Sequence, residues 1–422
     1  MIKTFLASAV LLAAASAYLG GVSPQGLFEG QLEVVHFKAP EFPQAVQISG
    51  SAPSAPFSPS ASGPAGAAPG ANGPVPPSTE GQVVPSLQFN ATGIAWINSP
   101  PLAMAKLRGK VVMIDFWEYT CINCIRTFPE NKKWWRRYHR YGFEIIGVHD
   151  PEFNVAYSVK NVRAAVKRFQ LPYPVVVDDQ FRIWNAYHSQ FWPNRFLIDA
   201  KGYVRYHRAG EGGDSAFELA IQQLLKEAHP GLKFPASYTI APAKDAFSPA
   251  CGVPTAEMYV GDWEGRGILE SPQGYHDGRT LNYTLPATVN DGRVGLSGRW
   301  RSGKNGMTYH GGSRKKKGMP GELVMRYHAR QLYSVINVAH DRPERLYITQ
   351  DGKDLTSTNN GADVKLDTQG HSYIEVRKPR MYYLVQNPSF GSHVVTLRPA
   401  ASGITINSFT FGNNCQTHFA HL

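Results

Sequence analysis

A pair of cysteines between a buried strand and a helix limits most strongly how this chain can fold. Val111–Trp117 (VVMIDFW) is almost wholly apolar, which is typical of a strand buried on both faces. Cys121 and Cys124 follow in the tetrapeptide CINC, and residues 124–138 then carry apolar side chains at mixed helical spacing. The cysteine pair therefore stands where a helix begins, directly after a buried strand.

This position predicts redox chemistry. Unpaired backbone N–H groups and the helix dipole stabilise a thiolate at a helix N-terminus, so the pKa of Cys121 is expected to be lowered. The two-residue spacer lets Cys124 reach the first sulfur and resolve a mixed disulfide. We therefore predict that Cys121 is the nucleophile and Cys124 the resolving thiol, with no cofactor and no metal.

Other interpretations of the pair stay open. It could be a structural disulfide, although such tight loops are rarely used for stability. Half a zinc site is a further alternative, but no second cysteine pair with matching spacing follows. A copper site would need a histidine such as His149 or His188 beside the two cysteines.

The stretch from residue 86 to 230 alternates apolar strands with helical segments. The predicted order β-α-β-α-β-β-α, with a final hairpin turned by Lys201 and Gly202, is the thioredoxin layout. We therefore predict an α/β thioredoxin fold for this stretch. Beyond the first strand and helix, the predicted strands are 143–148, 175–177, 196–198 and 203–206, and the predicted helices are 155–169, 183–187 and 216–228.

After a connector at residues 231–255 the sequence pattern changes to short strand-like runs separated by turn residues. This pattern predicts an all-β jelly-roll or β-sandwich domain over residues 256–422. Aromatic side chains on such a sheet can stack on sugar rings, although we expect most of them to lie in the core. The predicted strands are 323–327, 332–338, 345–348, 373–376, 381–385 and 394–397, and the candidate sugar contacts are Trp263, Trp300, Tyr309, Tyr382 and Tyr383.

The N-terminal region predicts export. Residues 1–17 have a lysine, an apolar run and an A-x-A site, as in a cleaved signal peptide. The alternative is a membrane anchor, but the apolar run falls short of the roughly 20 residues that cross a bilayer. Residues 18–85 are interpreted as a disordered tether, because 25 of the 30 residues from 51 to 80 are Ala, Pro, Ser or Gly. We expect a periplasmic or otherwise extracytoplasmic protein, soluble or tethered by its N-terminus.

Export also bears on the other two cysteines and on the charge. Cys251 and Cys415 bracket the predicted β domain, and in an oxidising compartment they are expected to form a structural disulfide. Free thiols or a second redox pair are the alternatives. The formal charge of +11 is assigned mainly to solubility, with anionic lipid or acidic polysaccharide as further partners. Nucleic acid is not expected, because export removes the protein from it.

Further side chains near the cysteines are candidates for the site. Asp115 lies in an apolar strand, where burial raises the pKa of a carboxyl and suits a proton acceptor for the resolving thiol. Pro193 precedes a strand at the place where thioredoxin folds have a cis-proline, which would expose backbone groups to a substrate peptide. Trp192 and Trp117 are candidate substrate contacts. Glu118, three positions before Cys121, is expected to face water; the alternative is that its carboxylate raises the pKa of the thiol.

The motifs WEYTCINCIRTFPE, GVHDPEF and IWNAYHSQFWPNRFLIDAKG, followed by GELVMRYHARQLY and ITINSFTFG, are carried by residues from about 107 to 412. They resemble the extracytoplasmic C-terminal portion of DipZ proteins, a branch of the TlpA-like thiol oxidoreductases. The resemblance implies a TlpA-like thioredoxin domain and a β-sandwich similar to carbohydrate-binding modules. It also implies thiol reduction in cytochrome c maturation or envelope redox balance, with Cys121, Cys124 and Pro193 in the active site.

Compared with that family, we expect this chain to carry a signal peptide and tether in place of the CcdA-like membrane domain that supplies electrons. We therefore expect a separate membrane electron donor, and exported thiol or disulfide proteins such as apocytochromes as substrates. A thiol peroxidase is an alternative, although the proline and threonine that precede its reactive cysteine are absent. A glycan-binding protein with a vestigial thioredoxin domain is another. The direction of electron flow stays open, since Ile122 and Asn123 match neither extreme of potential.

Overall fold

The computed structural model describes residues 94–237, 252–262, 267–311, 321–340 and 342–413. The predictions for the signal peptide, the tether, Trp263, Cys251 and Cys415 lie outside these residues.

A six-stranded mixed sheet forms the first part of the molecule, with the strand order β1-β4-β3-β2-β5-β6. Strands β2, β3 and β4 are parallel, whereas β1, β5 and β6 run antiparallel to their neighbours. Four α-helices connect or follow these strands, and together they make the α/β unit. The strands are β1 (Ala95–Ile97), β2 (Val111–Trp117), β3 (Phe143–His149), β4 (Val175–Val177), β5 (Asn194–Ile198) and β6 (Val204–Ala209), and the helices are α1 (Ile122–Tyr138), α2 (Val159–Phe169), α3 (Arg182–Ala186) and α4 (Asp214–Ala228).

The two faces of β2 explain why its sequence is so apolar. Val111, Met113 and Trp117 pack into a core with α1, α2 and α4. Val112, Ile114 and Phe116 pack on the opposite face with α3. Every residue of the strand is buried, as expected for a central strand with helices on both sides. The thioredoxin fold predicted from the sequence is therefore confirmed, and it places the cysteines at the end of the central strand.

A continuous antiparallel sheet forms the second part, the β unit, in the order β14-β15-β12-β16-β11-β17-β10-β9-β8. Strand β11 pairs with β16 and β17 and also touches β9, so that the sheet folds over on itself around one core. This is the all-β arrangement expected for the C-terminal part. Its strands are β7 (Met258–Tyr259), β8 (Thr280–Tyr283), β9 (Arg293–Gly303), β10 (Gly306–Tyr309), β11 (Glu322–Val338), β12 (Glu344–Gln350), β13 (Lys353–Asp354), β14 (Val364–Leu366), β15 (Ser372–Val376), β16 (Arg380–Pro399) and β17 (Ile404–Gly412).

Four of the strands predicted in this region were wrong in their bounds, because they are halves of two long strands. Strand β11 has 17 residues and β16 has 20, and each was expected as two short strands with a turn between them. The register of the pair shifts between Ala329 and Gln331, where polar and charged residues interrupt the apolar pattern. Such an irregularity bends a strand without ending it.

The two units share a hydrophobic core. Tyr333, Val335, Met381 and Tyr383 of the β unit belong to the same cluster of buried residues as the apolar side chains of α1. They pack at the N-terminal end of that helix, so the β unit covers part of the surface next to the cysteines. Apolar burial across the boundary couples the stability of the units.

We expect Met381→Ala to destabilise both units together. Met381 is 6% exposed, and a buried methionine truncated to alanine costs about 2–5 kcal/mol. Urea unfolding followed by tryptophan fluorescence measures the effect on the α/β unit, which holds six of the eight tryptophans. A fluorescence transition that does not move, while the circular dichroism of the β strands does, would contradict the coupling.

Candidate functional site

Cys121 and Cys124 form a disulfide at the N-terminus of α1, with their Cα atoms 5.3 Å apart. Cys121 is the N-cap residue, and its sulfur accepts a hydrogen bond from the backbone N–H of Cys124 at 3.2 Å. Cys121 is partly exposed, whereas Cys124 is 0% exposed. An incoming thiol or disulfide can therefore reach Cys121 and not Cys124.

Asp115 lies in the middle of β2, on the face covered by α1, and is completely buried. It stands opposite Arg195 of β5 in the sheet, and its Oδ2 atom accepts a hydrogen bond of 2.8 Å from Asn131 of α1. Burial raises the pKa of Asp115 to about 7, although the charge of Arg195 acts in the opposite direction. The carboxyl can therefore exchange a proton near neutral pH.

Glu118 does not face water, so that expectation was wrong. Its side chain is 0% exposed, because the turn between β2 and α1 folds it beneath the first turn of the helix. One carboxylate oxygen accepts hydrogen bonds from the backbone N–H of Thr120, at 2.6 Å, and from the Thr120 hydroxyl. The other lies 3.8 Å from Nε2 of His149. Nothing in the sequence indicated this buried pair, since Glu118 follows β2 and His149 ends β3.

His149 itself is closed off from solvent. Its ring stacks on Tyr119 and meets Trp117 edge-on, with centroid distances of 5.6 Å and 5.0 Å. No group of three or more metal-ligating side chains occurs in the described part of the chain. The copper-site interpretation of the sequence therefore finds no support there.

The loop before β5 supplies the apolar surface near the site. The Trp192–Pro193 peptide bond is cis, and the carbonyl of Pro193 accepts a hydrogen bond of 2.8 Å from the N–H of Gly210. Trp192 is half-buried and packs on Trp184, with ring centroids 4.5 Å apart. Phe191 is 53% exposed. It was not among the residues predicted from the sequence, although its aromatic ring close to Pro193 is a usable signal.

The prediction for Trp117 was wrong. It was expected to contact substrate, but it is 1% exposed and packs edge-on against Phe128, with centroids 5.3 Å apart. The alternation of β2 points it into the core under α1. It supports the helix that carries the cysteines and contributes nothing to the surface around them.

The candidate sugar-stacking residues are also buried wherever they are described. Their side chains are at most 7% exposed and belong to the cores of the molecule, as expected for most of them. No exposed aromatic face is left among these four for a sugar ring. They are Trp300, Tyr309, Tyr382 and Tyr383.

A partly exposed cysteine at a helix N-terminus, joined to a buried one after the central strand of this sheet, defines a thioredoxin-fold thiol–disulfide oxidoreductase. Two family models match the chain: the AhpC/TSA family over residues 81–207 and a thioredoxin-like C-terminal domain over residues 255–412. The first contains the dithiol and the second covers the β unit.

The chain is homologous to the protein DipZ. Over 321 residues it is 31% identical to DipZ of Mycobacterium tuberculosis and of Mycobacterium bovis, a match that covers 75% of this chain and 41% of each relative. It thus spans less than half the length of these relatives. Over 98 residues it is 37% identical to the thiol-disulfide oxidoreductase ResA of Geobacillus thermodenitrificans, which covers 23% of this chain and 53% of that protein.

Solved structures with similarity include a thiol-disulfide isomerase from Corynebacterium glutamicum. It is 25% identical, covers 31% of this chain and 90% of its own, and has a TM-score of 0.29. The fold assignment rests on the strand order and on the cysteine-bearing helix. Within the described residues, no helix combines the length and the apolarity that crossing a membrane requires.

Asp115 makes the stability of the protein depend on pH. Its pKa is raised in the folded state to about 7 from 3.8, so the folded protein holds a proton that the unfolded chain has released. Below about pH 4 the carboxyl is protonated in both states, and the free energy of unfolding is at its highest with respect to this group. It then decreases as the pH rises to about 7, by up to about 4 kcal/mol. We expect Asp115→Asn to remove this contribution to the slope, while other buried carboxyls with a raised pKa, such as Asp150 and Glu211, keep theirs.

Urea unfolding of the oxidised protein at pH 5 and pH 8 measures the slope. Asp363→Asn is the matched control. Burial raises the pKa of Asp363, but Arg380 offsets this and the net shift is downward. Asp363 therefore stays ionised over the whole interval, and its variant should keep the wild-type slope. An Asp115→Asn protein whose stability still falls by the wild-type amount would show that other groups cause it.

Proposed function

We propose that Cys121 and Cys124 form the redox-active pair of an extracytoplasmic thiol–disulfide oxidoreductase that reduces disulfides in exported proteins. The observation that carries this proposal is the asymmetry of the pair: the sulfur of the N-cap cysteine is accessible and its partner is buried. Exposure selects Cys121 for attack on a substrate. Burial keeps Cys124 for the second, internal step.

In the proposed reaction the Cys121 thiolate attacks one sulfur of a substrate disulfide and releases the other as a thiolate. The Cys124 thiolate then attacks Cys121, which releases the second substrate sulfur and leaves the Cys121–Cys124 disulfide. Two electrons pass from the dithiol to the substrate. Asp115, with a pKa of about 7, is the proposed acceptor of the Cys124 proton.

The proposed substrate surface is the loop before β5, which leads into the strand paired with the end of β2. Phe191 is exposed and Trp192 half-buried, so that an extended peptide meets an apolar surface next to Pro193. Backbone groups of this loop would pair with the peptide. Such recognition is tolerant of sequence, which suits a protein that reduces many exported chains. Apocytochromes are the proposed substrates in cytochrome c maturation, and a broader role in envelope redox balance uses the same chemistry.

Each turnover leaves a disulfide, so a reductase in an oxidising compartment needs a supply of electrons. We propose a separate, CcdA-like membrane protein as the donor. The signal-peptide pattern of residues 1–17 supports the location. Cell-wall glycan is proposed as a surface partner of the β unit, and the net charge of +11 is assigned mainly to solubility. Because the four described aromatic candidates are buried, that contact would depend on other side chains.

A thiol peroxidase is the second candidate, since the AhpC/TSA family model matches the segment with the dithiol. In that case Cys121 would reduce hydrogen peroxide to water, forming a sulfenic acid that Cys124 converts to the disulfide.

With dithiothreitol as the electron source, the wild-type protein should catalyse the reduction of insulin. Cys121→Ser is expected to abolish this catalysis, because serine cannot form the mixed disulfide. Cys124→Ser should instead accumulate mixed disulfides, since the resolving thiol is lost. Circular dichroism serves as the control for folding. Stopped-flow reaction with hydrogen peroxide separates the two candidates: a rate typical of an unactivated thiol excludes the peroxidase, and insulin reduction retained by Cys121→Ser excludes the oxidoreductase.

We also propose a structural disulfide between Cys251 and Cys415. Support comes from described residues that adjoin them in sequence: the side chain of Asn413 donates a hydrogen bond to the carbonyl of Gly252. Loss of the disulfide in Cys251→Ser should cost about 5 kcal/mol, on the loop-entropy account. Non-reducing peptide mapping detects the cross-link, and two alkylatable thiols in the oxidised protein would refute it.

A further inference from the structure

Arg126 of α1 joins both units and the dithiol segment through hydrogen bonds. It lies two residues after Cys124, and its side chain is 6% exposed. A buried guanidinium is costly unless its N–H groups find acceptors. The partners that Arg126 uses come from opposite sides of the boundary between the units.

The two terminal nitrogens of Arg126 divide these partners. Nη1 donates to Oδ1 of Asn123 at 3.3 Å and to Oε1 of Glu211 at 3.2 Å, both in the α/β unit. Nη2 donates to Oε1 of Gln331 and to the hydroxyl of Tyr333, both at 3.2 Å and both in the β unit. The guanidinium also lies over the Tyr333 ring, 5.2 Å from its centroid.

Each partner in the α/β unit leads to the redox site. Asn123 is one of the two residues between the cysteines. Glu211 follows Gly210, whose N–H donates to the carbonyl of Pro193. Burial raises the pKa of Glu211, while the charge of Arg126 and its hydrogen bond lower it. Arg126 therefore connects the helix turn that bears the dithiol to the loop before β5, which contains Pro193.

The β unit is shaped to hold this arginine in place. Gln331 is held by two further hydrogen bonds, because its Nε2 donates to the hydroxyl of Tyr383 and to Oε1 of Gln386 at 3.1 Å each. Gly412 leaves space for the guanidinium: a Cβ atom there would stand 2.6 Å from Nη2 of Arg126 and 2.4 Å from Oε1 of Gln331. No larger residue fits at this position without displacing the arginine or the glutamine.

We propose that Arg126 is a positioning residue through which the β unit sets the redox equilibrium of the Cys121–Cys124 pair. The arginine holds Asn123 and balances the charge of Glu211, and the β unit holds the arginine. The proposal rests on the redox role of the dithiol. Arg126 does not contact the substrate; it acts on the dithiol through the first turn of α1.

The sign of the effect follows from the charges. Without the arginine, a positive charge is lost from α1 and the buried Glu211 loses its cation. Both changes disfavour a thiolate on Cys121, so its pKa should rise by about one unit in Arg126→Met. A less stable thiolate makes the reduced form less stable, so the equilibrium with glutathione should move about tenfold toward the disulfide.

The decisive variants lie in the β unit and change no charge. Tyr333→Phe removes only the hydroxyl, and Gly412→Ala pushes on Nη2. Each should change both quantities in the same direction as Arg126→Met. The Cys121 pKa should rise by about 0.5, and the glutathione equilibrium should move about threefold toward the disulfide. Tyr259→Phe is the matched control, because Tyr259 also crosses the boundary, donating to Glu152 at 2.5 Å, without touching Arg126. It should leave both quantities unchanged.

Both quantities are measured on the full chain by peptide mass spectrometry: the pH profile of Cys121 alkylation, and the oxidised fraction of Cys121 in glutathione buffers. Neither requires activity toward a substrate, so a failed insulin assay leaves this test intact. If Tyr333→Phe and Gly412→Ala behave like Tyr259→Phe, lowering stability and moving neither quantity, Arg126 is purely structural and the proposal is wrong. Arg126→Lys keeps the positive charge but loses the planar guanidinium that bonds to both units at once. Its Cys121 pKa and oxidised fraction should fall between those of the wild type and Arg126→Met.

Discussion

The N-terminus of α1 is the constraint on which the rest of the structure depends. Its unpaired N–H groups favour a thiolate at Cys121, the N-cap residue, and the start of the helix is held by the central strand below it. The same helix end is the place where the β unit packs, through side chains such as Met381 and Tyr383. Chemistry, core packing and the contact between the units therefore meet on one helical turn.

This arrangement concentrates ionisable groups in a place with little water. Asp115, Glu118, Arg126 and Arg195 are all buried or nearly so, in α1, in the turn before it or in the strands beneath it. Most are compensated by specific partners: Arg195, for example, donates to Asp214 at 2.7 Å and to the carbonyl of Gly212 at 2.9 Å. Asp115 is held less completely and keeps a raised pKa. A carboxyl of that kind costs stability, and sites that transfer protons tolerate the cost.

The α/β unit was largely predictable because its signals are local. A buried strand, a cysteine pair and helical periodicity occur within 28 residues, from Val111 to Tyr138, and each predicts its own structure. The β unit was predicted less well. Its two longest strands bend at Ala329 and Gln331 and in the facing segment of β16, where local patterns indicate turns. Only pairing with neighbours along their whole length keeps such strands continuous.

The sequence by itself determined the class of chemistry, since the dithiol at a helix start needs only the residues next to it in the chain. It also singled out Asp115, because a carboxylate in an apolar strand stands out without any structure. The tertiary structure alone decided that Trp117 and Glu118 are buried and that Arg126 joins the two units. Those outcomes depend on partners up to 207 residues away, as between Arg126 and Tyr333, and contacts over such distances leave no periodic trace in a single sequence.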